Sequence, residues 1–154
     1  MNKFMKIAFK EAIKGMRGNE GGPFGAVIVK DKKIISKAHN KVIQANDPTA
    51  HAEITAIRKA CKKLKKFDLS DCEIYSSCEP CPMCLSAIYW ARIKKLYFGC
   101  TRKDAAKIDF DDELIYDAIK GIKKGKQIEI SEIDRLECLK LFDEWKNKKN
   151  KTQY

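Results

Sequence analysis

The stretch SSCEPCPMC, Ser76 to Cys84, sets Cys78, Cys81 and Cys84 at every third position. Upstream, His51 stands in DPTAHAEI with Glu53 two residues later. Imidazole and thiolate together suit a borderline-soft ion such as zinc. Cys81 and Cys84 lie one helical turn apart and can point at one ion, and a helix N-terminus there favours thiolate over thiol. His51, Cys81 and Cys84 would leave a fourth tetrahedral position for water, whose pKa zinc lowers to near neutral. Glu53 is not read as a ligand, because residues two apart on a regular helix face away from each other. In a first turn approached end-on, however, both could reach one small volume, and Glu53 could carry a proton there. Two other arrangements stay open. Cys78 as a fourth ligand would close the site and make the metal structural. An iron–sulfur cluster would call for a further Cys after three intervening residues, where Ile88 stands. Neither accounts for Glu53 beside His51.

The elements that must carry these residues follow from pattern. Lys3 to Met16 spaces Phe4, Ile7, Ala8, Ala12 and Ile13 as an amphipathic helix. GNEGGPFG is a glycine-rich loop that opens a strand and lacks the Lys-Ser/Thr ending of a phosphate cradle. AVIVKDKKIISKAHN reads as a hairpin turning at Asp31 to Lys33, and KVIQANDPT as a loop. A helix is expected from about Ala50 to Leu64, with Thr49 as N-cap and Ile54, Ile57 and Leu64 on its apolar side. A short strand at Cys72 to Ser76 precedes a helix from Cys81 to Ala91, with Pro82 suited to its first position. LYFG, Leu96 to Gly99, is a further strand. DFDDELIYDAI enters a short helix, QIEISEI is strand-like, and Asp134 to Lys146 is a last amphipathic helix. The order implies a sheet with helices on its faces in one domain, residues 1–154.

A chain of 154 residues with 44% hydrophobic content is sized for one such core. No apolar run is long enough for a membrane span, and the first residues lack the uninterrupted apolar stretch of a signal peptide, so a cytoplasmic protein with no membrane partner is expected. In a reducing compartment the scattered Cys61, Cys72, Cys100 and Cys138 are read as small core residues. The net charge of +11 invites a nucleic-acid partner. That charge is nearly all Lys, spread along the chain, whereas Arg is the usual bidentate reader of phosphate and bases. The Lys-rich patches KKLKK and KNKKNK are therefore read as solvated helix ends, and no nucleic-acid partner is expected.

The pattern H-x-E…P-C-x-x-C resembles the cytidine-deaminase-like superfamily of zinc nucleobase deaminases over essentially the whole chain. GGPFGAVIVKD, NDPTAHAE, TAIRKAC, SCEPCPMC and AIYWAR, then the DFDD of Asp109 to Asp112 with Ile115-Tyr116 after it and a terminal Tyr154, look closest to the bacterial guanine-acting members. Many of these stretches are shared with tRNA adenosine deaminases. The resemblance implies an α/β fold, a three-layer α/β/α arrangement with a mixed five-stranded sheet between helices. It implies one zinc per subunit on His51, Cys81 and Cys84, with Glu53 as proton shuttle. Asn40, Phe24, Trp90, the N–H of Ala52 and Tyr154 would contact a small purine base. Asp112 would address the base's amino-bearing edge or share in proton transfer. A homodimer is implied, its C-terminal segment, about 130–154, swapped between subunits. On their own, Phe24 and Trp90 would read as core aromatics, Asn40 and Asp112 as caps, and Tyr154 as a frayed end. The implied reaction is conversion of guanine to xanthine and ammonia. The alternatives are adenosine deamination in a tRNA anticodon loop and a non-catalytic, zinc-stabilised RNA-binding module.

Overall fold

The computed structural model describes residues 1–122, 125 and 128–152. Its elements are α1 (Lys3–Arg17), β1 (Gly25–Lys30), β2 (Lys33–His39), α2 (Val42–Ala45), α3 (Ala52–Leu64), β3 (Glu73–Cys78), α4 (Pro82–Trp90), β4 (Lys95–Cys100), α5 (Arg102–Ala106), α6 (Glu113–Ile119) and α7 (Arg135–Asn147).

The strands form one mixed sheet in the order β2-β1-β3-β4. β1 pairs antiparallel with both β2 and β3, while β3 and β4 run parallel, joined by α4 as the crossover. β1 is apolar along its length because both of its faces are covered. Its period of two sorts the core. Ala26 and Ile28, with Ile74 of β3, face α3 and α4. Val27 and Val29, with Tyr75, face Phe4 and Ala8 of α1. Helices thus cover both faces of the sheet.

α1 starts where Asn2 accepts hydrogen bonds from the N–H groups of Phe4 (2.8 Å) and Met5 (3.3 Å), two donors that a helix leaves unpaired. α3 departs from expectation. Thr49 does not cap it: its N–H and hydroxyl both bond Asp47 Oδ1, at 2.8 and 2.7 Å, and His51 stands at the N-cap without a side-chain cap bond. The apolar residues α3 buries are Ala52, Ala56 and Ala60, four apart and fully inaccessible. Ile57 and Leu64 flank this stripe half-buried. Small side chains let the helix lie close on the sheet, and the larger ones fill the flanks.

Among the described residues the sheet has four strands, not five. Ile128 to Ile133, the described part of QIEISEI, forms no strand, and its isoleucines are 76–89% exposed. Alternating apolar residues make a strand only where a partner and a covered face await them, and this segment meets neither. Gln127 lies outside the described residues. Two short helices were not anticipated: α2, inside the expected loop KVIQANDPT, and α5, which Thr101 and Asp104 start as a reciprocal capping box. Of the cysteines read as core, Cys72 is buried and Cys61 half-buried, but Cys100 and Cys138 are exposed. Among the described residues no helix is long and apolar enough to cross a membrane.

Candidate metal centre and pocket

β3 ends at Cys78, and the chain turns through Glu79-Pro80 to place Cys81 at the N-cap of α4, with Pro82 opening the helix. Cys84 follows one turn on, fully buried. His51 holds the matching N-cap position of α3. Two helix N-termini therefore converge. Nδ1 of His51 is 3.6 Å from Cys81 Sγ and 3.5 Å from Cys84 Sγ, and all three atoms lie within 4.8 Å of one another. A tetrahedral zinc with ordinary Zn–N and Zn–S bonds sets N···S edges of about 3.5–3.6 Å, so the donor set fits the ion in kind and in spacing.

The electrostatics favour a cation as well. A bond from the Cys84 thiol holds Cys81 well below the ordinary thiol range, and the same bond pushes Cys84 well above it. The two sulfurs thus share one negative charge. A dication is what would let both be anionic. Cys78 is not in this cluster. Its sulfur points to Thr101 O at 3.6 Å, and burial pushes its thiol up to about 11. The closed four-ligand arrangement and the three-cysteine cluster both lose their third sulfur.

Glu53, in the first turn of α3, is 5% exposed. Its Oε1 accepts from Ser76 Oγ at 2.9 Å, and its Oε2 lies 3.4 Å from Cys84 Sγ. Burial, the largest influence, raises its carboxyl above the ordinary range. Ser76 reaches it because even positions of β3 face α3.

Glu53, His51 and Cys81 form the floor of a cavity of about 290 Å³, close to the lower end of small-molecule sites. Phe24 makes one wall and meets Phe110 edge-on, ring centroids 4.9 Å apart at 90°. Asp112 also lines it. It occupies the N-cap position of α6 yet makes no cap bond, because Asp111 Oδ1 takes the Glu113 N–H at 2.9 Å. The Asp112 carboxylate instead turns to Arg102, with Oδ1 3.4 Å from Nε. Burial raises its carboxyl, and Arg102 only partly opposes this.

His51, Glu53, Cys81, Phe24 and Asp112 therefore share one cavity. Asn40 and Ala52 do not line it; they are 4% exposed and fully buried respectively. Trp90 is 70% exposed on α4 and lines a separate groove with Ile57, Phe67 and Thr152. Tyr154 lies outside the described residues.

Residues 1–100 match the family model of the cytidine and deoxycytidylate deaminase zinc-binding region. The chain belongs to this zinc-binding deaminase family. The deaminase is 50% identical over 151 residues to guanine deaminase of Bacillus subtilis (strain 168), covering 98% of this chain and 97% of that one. The crystal structure of guanine deaminase from Bacillus subtilis superposes with a TM-score of 0.93 at 49% identity, over 100% of this chain and 99% of that one. The tRNA-specific adenosine deaminase of Aquifex aeolicus (strain VF5) is 47% identical over 100 residues, 65% of this chain and 66% of the other.

Among the further residues of the deaminase that line the cavity are Arg102, Glu79 and Phe110. Arg102 is a clamp. Its backbone N–H donates to Glu79 Oε2 at 2.9 Å, its Nη2 reaches Glu113 Oε2 at 2.5 Å, and its guanidinium lies 4.0 Å over the Tyr116 ring. This ties the 109–116 segment to the start of α5. The available signal was a lone Arg ahead of the acidic run DFDDE. Phe110 stands inside DFDD, but nothing local announces its contact with Phe24.

Proposed function

We propose that this deaminase hydrolyses guanine to xanthine and ammonia in the cytoplasm. The observation that carries the reading is the end-to-end likeness to a guanine deaminase, which takes in the 101–116 wall of the cavity as well as the metal centre. The likeness to a tRNA-acting relative covers 65% of the chain.

One zinc per subunit on His51, Cys81 and Cys84 would supply the Lewis acidity that makes water a nucleophile at neutral pH. Glu53 takes the proton the attacking water gives up and hands it to the ring nitrogen beside the amino-bearing carbon. As the C–N bond breaks, Glu53 carries the remaining proton from the added hydroxyl to the departing amine, which leaves as ammonia, and the carbonyl of the product forms. Its raised carboxyl suits a group that must hold and release a proton in each turnover. Asp112 accepts from the exocyclic amine, held in place by Arg102. Phe24, backed by Phe110, stacks on the base. The Ala52 N–H, the first of α3, is a donor the helix does not use.

Asn40 Oδ1 is taken by the N–H groups of Gly22 (3.3 Å) and Val42 (3.1 Å), which leaves its amide nitrogen as the group to donate to a purine acceptor. A second copy completes the assembly. Exposed Ile128, Ile130, Leu136 and Phe142 make the C-terminal segment, about 130–154, an apolar surface to be covered by exchange between subunits. Trp90 and Tyr154 reach the base in that assembly. Ammonia release from guanine, with none from a tRNA anticodon stem-loop, is the expected result of a substrate panel. Release from the stem-loop alone, or tight, salt-sensitive RNA binding with no deamination, would replace this reading.

A further inference from the structure

The end of β2 carries a buried charged cluster that the reaction does not use. His39 is 4% exposed. Its Nδ1 lies 3.3 Å from Glu11 Oε2 on α1, and its Nε2 lies 2.9 Å from Glu20 Oε2 in the glycine-rich loop. Lys37 of β2 holds the other oxygen of Glu11 at 2.8 Å, and Lys41 approaches Glu20 Oε2 at 3.2 Å. Burial raises Glu11, but its bonds to Lys37 and His39 together bring its carboxyl below the ordinary range. The bond from His39, then that from Lys41, lowers Glu20. Both acceptors are thus carboxylates. A neutral imidazole has one N–H, so it would turn a bare lone pair toward one of them. Only the imidazolium donates to both.

The packing leaves this ring one place to be. A Cβ at Gly15 of α1 would come within 2.6 Å of the ring. The next residue along the chain is Asn40, and a Cβ at Gly21 would meet its Oδ1 at 2.1 Å. Glu20 is anchored in turn: its N–H donates to Gly15 O and its carbonyl accepts from Gln44, each at 3.0 Å. The loop that His39 grips therefore supplies, at Gly22, one of the two N–H groups that fix the Asn40 amide.

We propose that His39 is a positioning residue for substrate binding: as an imidazolium bridging Glu11 and Glu20, it locks the glycine-rich loop to α1 and so fixes the Asn40 amide and the Phe24 wall. This rests on the reading above of Asn40 as a base contact. Neutralising the bridge loosens the wall without touching the metal centre or Glu53. The test compares His39→Gln, Glu20→Gln and Asn40→Ala with the parent zinc-loaded enzyme, reading zinc content, kcat and KM for guanine. His39→Gln and Glu20→Gln are each expected to raise KM about fivefold or more, with kcat within about twofold and zinc retained. An unchanged KM in Glu20→Gln, or in a folded His39→Gln, overturns the proposal if Asn40→Ala raises KM. If Asn40→Ala leaves KM unaltered, the reading of Asn40 is what fails.

Discussion

Glu53 is buried among a thiol, a hydroxyl and a helix end, and burial already keeps its carboxyl proton-hungry. Replacing it with glutamine keeps its shape and its bond to Ser76 while removing the proton carrier. Glu53→Gln should lower kcat by about 10²–10⁴-fold, with zinc content by atomic absorption unchanged. Turnover near the parent rate would end the proton-shuttle role. At this scale the sequence was informative wherever the chemistry is local. His51 and Glu53 share a turn, as do Cys81 and Cys84, so residue type and spacing announced them. Arg102, Glu79 and Phe110 went unannounced because their partners lie far along the chain; Phe110 meets Phe24 across the whole of β1 to β4. Asp112 was legible as a cap or a contact, and only the competition from Asp111 for the Glu113 N–H frees it to face the cavity.

Between elements, Asp71 at the start of the β3 arm joins Lys30 at the end of β1 and Lys66 after α3, each at 2.8 Å. These bonds, Lys30 first, hold its carboxyl well below the ordinary range. A carboxyl lowered on folding stabilises above its unfolded pKa near 4 and loses that contribution as pH falls through the folded value. Losing two half-exposed pairs of this kind amounts to a melting shift of about 1–8 °C. Asp71→Asn should melt lower by that much at pH 7, and the gap should close in acid. A gap undiminished from pH 7 to pH 2 would assign the effect to packing instead. Helices and strands were read well where one face is plainly apolar, as in α1 and β1. On α3 the apolar side was read from Ile57 and Leu64, which do pack against the core, but the alanines that make its close approach to the sheet carry no such signal. QIEISEI has a strand's alternation, but a strand needs a neighbour that no local pattern can reveal.

For the whole molecule, the apolar surface of the C-terminal segment predicts association. The intact chain should sediment as a dimer, and a chain ending at residue 127 should sediment as a monomer with activity lost. A truncated form that remains dimeric and active would place the interface, and the closing of the site, elsewhere. The α/β plan and the metal centre were readable in advance. The sheet's strand count and the far wall of the cavity were not, since both depend on segments whose partners are set by tertiary assembly.

The clamp at Arg102 marks a seam. The candidate metal cluster, from His51 to Cys84, lies within the 100 residues that the family model matches, as does Phe24, while Arg102, Phe110 and Asp112 all come after them. One part of the keyhole is thus a single run of the gene downstream of the cluster. Such a layout lets evolution or an engineer recut that part of the lock by exchanging one short stretch of chain, while the metal cluster stays as it was.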